Sequence, residues 1–292
     1  MKHMVSFSGG RTSAYLVHLM EQKRKDNGWE VEYVFMDTGA EHPKTYDFVR
    51  ACVKYFNIKL TVLKTVINPE MGIGPNFKVC SFDSIGWDLS VFKDMTKKYG
   101  NPYIPGGNFC TDKLKTVTYK KYVKSKGLRD GDFKTWLGIR YDEPRRLKEK
   151  KNIKYLAEIS TMEKMDIVGW WKEQPFDLEI DEHLGNCVFC IHKKPLKIAL
   201  AQRDEPELAR EWNEMIHNSR KRSKESIPIN IVYQNHQSME SIEGKFKEHT
   251  DNEIRTMLQS GKRYSVGSCS ESCEIDFDQM DMFKEIDIKA NK

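Results

Sequence analysis

The sequence has no run of about 18 apolar residues, no internal repeat and no low-complexity tract. These absences exclude a membrane-spanning helix, a solenoid and a fibrous chain. No strong charge excess is present either, the formal net charge being +5. Met1-Lys2-His3-Met4 leads straight into a strand-like segment without the apolar stretch of a signal peptide, so a cytoplasmic location is expected. Seven cysteines, an odd number, argue against a disulfide framework and turn attention to metal binding or catalysis. Two common nucleotide signatures are missing as well. The Walker loop needs a longer glycine spacing and a lysine before Ser/Thr, and the dinucleotide fingerprint needs three spaced glycines.

What is present is the pattern of a globular α/β enzyme. The 292 residues are 39% hydrophobic and 31% charged, enough to bury a core and too apolar for disorder. Met4–Phe7 reads as a short strand, followed by a helix from about Thr12 with Tyr15, Leu16, Leu19 and Met20 on one face. Residues 30–36 read as a second strand. Residues 44–56 read as a helix carrying Phe48, Ala51 and Tyr55, and Ile58, Leu60 and Val62 as a third strand. Strand–helix repeats of this length imply right-handed crossovers and a Rossmann-like parallel sheet. Residues 68–108 read as an irregular insertion with one short helix near 89–97. Helix returns over 113–126 and strand over 133–139. Ser160-Thr161-Met162-Glu163 suggests a capping box for a helix bearing Ile167, Trp170 and Trp171. Past Pro195 the chain reads as mostly helical, with a break at Pro206. The expected division is residues 1–150 as the nucleotide-binding α/β domain and 151–292 as a mostly helical C-terminal extension.

Ser8-Gly9-Gly10-Arg11-Thr12-Ser13, between a strand and a helix, is built to hold phosphate. Glycines admit close approach of the oxygens. The unpaired amides of a helix start carry partial positive charge. Ser8, Thr12 and Ser13 add hydroxyls, Arg11 adds a cation, and Ser6 leads into the loop. Between Lys113 and Lys151 stand fourteen Lys or Arg against five Asp or Glu, while the tail from Glu271 to Glu285 is acidic. The basic stretch suits an anionic ligand or simply a solvated helix face.

Val5 through Ser13 resembles the PP-loop of the ATP pyrophosphatase and phosphoadenosine phosphosulfate (PAPS) reductase superfamily. Phe35-Met36-Asp37-Thr38-Gly39, with Glu41, Pro43, Thr45 and Tyr46, resembles its second-strand segment. Leu137-Gly138-Ile139-Arg140, with Asp142-Glu143 and Arg145-Arg146, resembles its later Gly-Ile-Arg segment. The match covers roughly residues 1–195 and is closest to PAPS-reductase-like proteins carried by phages, which would place the chain in the host cytoplasm. The resemblance implies an adenine nucleotide on the PP-loop, either ATP or PAPS/APS, with magnesium as a companion ion. Asp37, Thr38 and Gly39 would border the adenosine. Arg140 and Arg145 or Arg146 would face the anionic end, where planar guanidinium donors suit phosphate or sulfate.

Cys187 and Cys190 form a C-x2-C pair in a Gly-Asn turn, a spacing that lets two thiolates reach one centre. Cys110 precedes a helix. Iron–sulfur members of the superfamily carry adjacent cysteines near this position, but residue 109 here is Phe. The resemblance therefore implies a [4Fe–4S] cluster on Cys110, Cys187 and Cys190 with one iron open, as in ATP-dependent tRNA thiolation enzymes. A zinc site completed by His192 is the alternative, and Cys80 is a candidate fourth ligand. Cys269 and Cys273 stand in the tail without the Glu-Cys-Gly sequence of the reductases. They are candidates for a sulfur carrier or redox pair, or are inert. Cys52 on an apolar helix face is expected in the core.

The chemistry these features favour is AMP- and pyrophosphate-forming activation coupled to sulfur transfer, with a nucleic acid acceptor and a separate sulfur donor. A PAPS or APS reductase served by a thioredoxin-like reductant is the second expectation. A nucleotide-sensing protein without turnover is the third. An oligomer is compatible with each of these.

Overall fold

The computed structural model describes residues 1–102, 109–221 and 228–260. Its centre is a six-stranded sheet in the order β4-β3-β2-β1-β5-β6. The first five strands are β1 (Lys2–Ser6), β2 (Glu30–Met36), β3 (Leu60–Val66), β4 (Asn76–Cys80) and β5 (Phe133–Leu137), with β6 at Ile153–Tyr155. Every pairing is parallel except β3 with β4. Residue alternation assigns the two faces. Val5, Tyr33, Phe35 and Val62 enter one core, whereas Met4, Val34, Met36 and Leu63 enter the other. Both faces are thus covered, as a parallel sheet requires.

Helices α1 (Arg11–Asn27) and α2 (Pro43–Phe56) bury apolar faces in the first core. Tyr15, Leu16 and Met20 of α1 are buried as their spacing predicts. On α2 the buried set is Thr45, Tyr46, Phe48, Val49 and Cys52, while Tyr55 is half exposed. The helix is rotated from the expected Phe48–Ala51–Tyr55 face, because Tyr46 and Val49 point at the sheet. Cys52 is in the core, as expected. In the insertion lies α3 (Ser90–Tyr99). A short α4 (Phe109–Thr111) runs through a π-helical turn at Asp112–Thr116 into α5 (Val117–Ser125). Beyond the sheet come α6 (Lys164–Lys172), α7 (Pro195–Asp204), α8 (Pro206–His217), α9 (Met239–Phe246) and α10 (Asp251–Ser260). Pro195 and Pro206 each occupy a first helical turn, where a missing N–H loses nothing.

The elements depart from expectation in five places. The third strand runs from Leu60 to Val66, and β5 ends at Leu137. β4 was hidden because half of it is exposed and lacks alternation, and β6 because it is three residues long. Ser160 does not cap α6. Glu163 does, in a reciprocal box with Asp166, while the Ser160 hydroxyl accepts from the Met162 amide at 3.2 Å. A second core gathers Ala40, Leu89, Val91, Phe92, Met95 and Leu114 with the C-terminal helices. Helical packing therefore draws on residues from both sides of position 150, and β6 extends the sheet beyond it.

Gly39 has φ +75°, and a Cβ there would lie 1.9 Å from the Asp88 carbonyl oxygen. Gly28, at φ +67°, has nothing within 4 Å of that position. Gly28→Ala is expected to cost about 1 kcal/mol from backbone strain alone. Gly39→Ala adds a backbone clash and is expected to cost at least about 3 kcal/mol. Urea unfolding midpoints compare the two, and equal shifts would contradict the packing described.

Candidate functional site

The sheet changes direction of growth at β1. β2 and β3 follow on one side of it, β5 and β6 on the other. The crevice beyond the carboxyl ends of β1 and β5 is therefore a topological switch point, where doubly wound sheets take ligands. The loop after β1 is Ser8–Gly10, and the loop after β5 begins at Gly138. They meet closely: a Cβ on Gly138 would lie 3.0 Å from Ser13 Cα. Gly9, at φ +84°, likewise has Thr45 Cγ2 2.9 Å from where its Cβ would be. A cavity of about 220 Å³ opens here. Its walls include Ser8–Ser13, Glu41, Thr45, Gly138, Arg140 and Arg146, with Lys164 and Gly185–Asn186 opposite.

The loop is held from within. Ser13 Oγ accepts from the Ser8 amide at 3.1 Å and the Ser8 hydroxyl at 3.0 Å, and donates to the Gly10 carbonyl at 2.9 Å. These two hydroxyls shape the loop before any ligand arrives. α1 starts on Gly10 with no side-chain cap, which leaves its first-turn amides for an anion. Arg11 is turned towards the C-terminal half. It forks onto Asp177, with Nε–Oδ1 2.7 Å and Nη2–Oδ2 3.0 Å.

Arg140 is 1% exposed. Its charge is balanced by Asp142 at 2.7 Å and Glu143 at 3.5 Å, and Nη1 reaches Thr12 Oγ1 at 3.4 Å. A buried guanidinium is tolerable only with such partners. Arg146 donates to Glu143 at 2.6 Å and lines the cavity, whereas Arg145 is exposed and is not among its lining residues. Ser6 is buried within β1.

Asp37, Thr38 and Gly39 follow β2 and are not among the residues lining this cavity. Asp37 is 2% exposed. Its Oδ1 accepts from the Gly39 amide at 3.0 Å and the Tyr46 hydroxyl at 3.3 Å. Oδ2 faces the Lys64 ammonium at 3.3 Å, outside hydrogen-bonding geometry. Burial pushes the Asp37 carboxyl above its ordinary value, against the opposing pull of Lys64 and the two donors.

Three cysteines, Cys110, Cys187 and Cys190, lie in or against the second core. Cys187 and Cys190 are 5% and 6% exposed. Their turn is closed by the Cys190 amide donating to the Cys187 carbonyl at 3.1 Å. Cys187 Sγ lies 3.8 Å from Glu41 Oε1, and Lys115 approaches the same carboxylate oxygen at 3.9 Å. Lys115 belongs to the same helical run as Cys110, which is half-buried against this core. The ammonium of Lys193, 1% exposed, donates to the carbonyls of His183 and Val188 at 2.7 and 2.9 Å and braces the turn. His192 Nε2 is buried without a hydrogen-bond partner. Cys80 lies on β4 and packs against the first core, so it does not join the three. Cys269 and Cys273 lie outside the described residues. Elsewhere, Asp181, His183 and Asp204 bring ligand atoms within 4.8 Å of one another, but Arg255 already bonds Asp181 at 2.6 Å and Asp204 at 3.2 Å.

A family model, the phosphoadenosine phosphosulfate reductase domain, matches residues 2–178. The chain belongs to this family. Among its relatives is the phage lambda "uncharacterized nin region protein ORF290", 51% identical over 285 residues, covering 96% of this chain and 97% of the relative. A crystal structure of PAPS reductase from Candida auris, a phosphate complex, shares 15% identity at a TM-score of 0.39 over 59% of this chain and 71% of its own. Within the family's segment lie the PP-loop, the second-strand loop and the β5 turn. Cys187 and Cys190 lie beyond it. No described helix is long and apolar enough to cross a membrane.

Lys164 and Asp177 escaped the sequence reading, whereas Asn186 was noted only as part of the cysteine turn. The first two stand in α6 and an irregular stretch with no motif of their own, and only the fold brings all three to the PP-loop. Glu41 was visible as part of the second-strand segment, but its link to Cys187 was not.

A carboxyl whose native pKa exceeds its unfolded one binds more protons when folded, so stability falls as pH rises between the two values. Against an Asp37→Asn variant, wild-type stability should therefore decline from the ordinary carboxylate range upward, the gap levelling off once Asp37 is ionised. Chemical denaturation across pH checks this. Parallel curves would place Asp37 at its ordinary value.

Proposed function

We propose that this PAPS reductase family protein is an enzyme that binds ATP or an adenylyl nucleotide on Ser8–Ser13 and uses it to activate an acceptor for sulfur transfer. The observation that carries the reading is the cavity itself. The PP-loop forms one wall, and Gly185–Asn186, immediately before Cys187, forms another. The cysteine turn begins where that wall ends, so the thiols stand next to the cavity without lining it.

In this reading the acceptor's oxygen attacks the α-phosphorus of ATP. A P–O bond forms, the bond to the β-phosphate oxygen breaks, and pyrophosphate leaves. A sulfur nucleophile from a separate donor then forms a C–S or P–S bond as the C–O or P–O bond breaks, and AMP departs. The α1 amides and Arg140 and Arg146 stabilise charge on the phosphates, with magnesium as companion ion. The fork on Asp177 keeps Arg11 fixed at the cavity wall. The basic stretch between Lys113 and Lys151 supports a nucleic acid acceptor.

The donor set at the second core fits a thiolate-held centre. Two buried cysteines share a tight turn, a third is half-buried against the same core, and the buried imidazole nitrogen of His192 has no partner. Cys110, Cys187 and Cys190 would hold a [4Fe–4S] cluster, or with His192 a zinc ion. A cluster with an open iron supplies a binding position for sulfur. The family match favours one competing reading, a PAPS or APS reductase that releases sulfite with a thioredoxin-like reductant.

Three measurements separate these. Iron and acid-labile sulfide should be near stoichiometric in anaerobically purified protein and be lost in Cys187→Ala; full metal retention in that variant would remove the cluster assignment. ATP-dependent pyrophosphate release stimulated by nucleic acid supports transfer, whereas thioredoxin-dependent sulfite release from PAPS would replace it with reduction. Ser8→Ala combined with Gly10→Ala should weaken ATP binding at least about tenfold. The fold should remain, because a Gly10 Cβ meets nothing within 4 Å. Unchanged ATP affinity in this variant counts against the loop as the nucleotide site.

A further inference from the structure

Arg11 opens α1 inside the PP-loop, and its partner Asp177 stands 166 residues later. The pair is side-on. Nε and Nη2 engage the two carboxylate oxygens, and Nη2 also bonds the Leu178 carbonyl. Nη1 is left over from the fork, and Arg11 lines both the PP-loop cavity and a neighbouring one that it shares with Asp177. Asp177 is itself held, since its Oδ1 accepts from the Leu178 amide at 2.6 Å. The Trp171 indole N–H donates to the Arg11 carbonyl at 2.9 Å and ties the backbone of the same residue to α6. A free arginine at a loop start samples many rotamers. A forked one presents its remaining N–H pair in one direction.

The position of Asp177 adds a second consequence. Leu178, Ile180, Gly185 and Asn186 follow it and form one wall of the cavity. The wall ends at Asn186, and just beyond it the Val188 amide donates to the Ala40 carbonyl at 2.9 Å, beside the Glu41–Cys187 bridge. The stretch from Asp177 to Val188 therefore spans from the PP-loop to the loop after β2. Its first anchor is the Arg11 fork.

We infer that Asp177 is a positioning residue for nucleotide binding: by holding Arg11 it directs the free Nη1 donors at the phosphates and seats the wall that closes the cavity. The inference rests on the reading that this cavity takes a polyphosphate nucleotide. Asp177 touches no ligand in this scheme. It acts through Arg11, so its effect vanishes when Arg11 is already gone.

That dependence defines the test. ATP and AMP affinities are measured by calorimetry for the wild type, Asp177→Asn, Arg11→Gln and the double variant, with the thermal midpoint of each as a check on folding. Each single change should weaken ATP about tenfold or more, the scale of a charge-assisted hydrogen bond. AMP, with a single phosphate, should lose less. The double variant should bind ATP no worse than Arg11→Gln alone. Additive losses in the double variant, or wild-type ATP affinity in Asp177→Asn, would overturn the inference while leaving the nucleotide reading intact. A wild type that binds neither ATP nor AMP would overturn both. Should Asp177→Asn fail to fold, Asp177→Glu keeps the charge at a shifted distance. It should show an intermediate ATP loss that again disappears in the Arg11→Gln background, and an additive loss there would overturn the inference equally.

Discussion

The site depends on one close approach of backbone to backbone. Ser13 at the start of α1 and Gly138 just after β5 stand so near that a Cβ on Gly138 would crowd Ser13. This contact sits where the sheet reverses its direction of growth. It brings two motifs more than a hundred residues apart into one crevice. The PP-loop supplies amides there, and the β5 turn supplies Arg140 and Arg146. The loop's internal hydrogen bonds, from Ser8 to Ser13 and from Ser13 to Gly10, hold the shape that permits the approach.

Around that crevice the chain manages buried charge. Arg140 is almost fully desolvated and would be intolerable alone, so Asp142 and Glu143 accompany it two and three residues away. Lys193 is equally buried and is solvated by two backbone carbonyls at the cysteine turn. Arg11 pairs with Asp177 across the molecule. Each pair serves geometry before stability. Exposed ion pairs contribute little, but these fix where donors point.

The fold was legible wherever periodicity was strong. β1, β2, α1 and the helices flanking Pro206 lie where spacing and proline placed them. α2 was recognised, but its buried face was not, because Tyr46 and Val49 read as readily on either side until the sheet's position is known. β4 and β6 were missed because an exposed edge and a three-residue strand carry too few residues for alternation to register. At the site, the glycine loop and Arg140 announced themselves by local pattern. Arg145 and Arg146 could not be separated by sequence, since adjacent residues on a short 3₁₀ turn point in different directions. Cys80 was drawn in by residue type and excluded by the face of the sheet it occupies.

The sequence by itself determined the α/β class, the phosphate-binding loop and the cysteine pair, because each is written in neighbouring residues whose spacing carries its own physics. Only the tertiary structure decided that Gly185–Asn186 walls the PP-loop cavity, that Glu41 stands between Lys115 and Cys187, and that Arg11 belongs to Asp177. Those contacts join residues with no periodic relation to one another. They follow from how the sheet's strand order and the second core fold the C-terminal half back over the first strand.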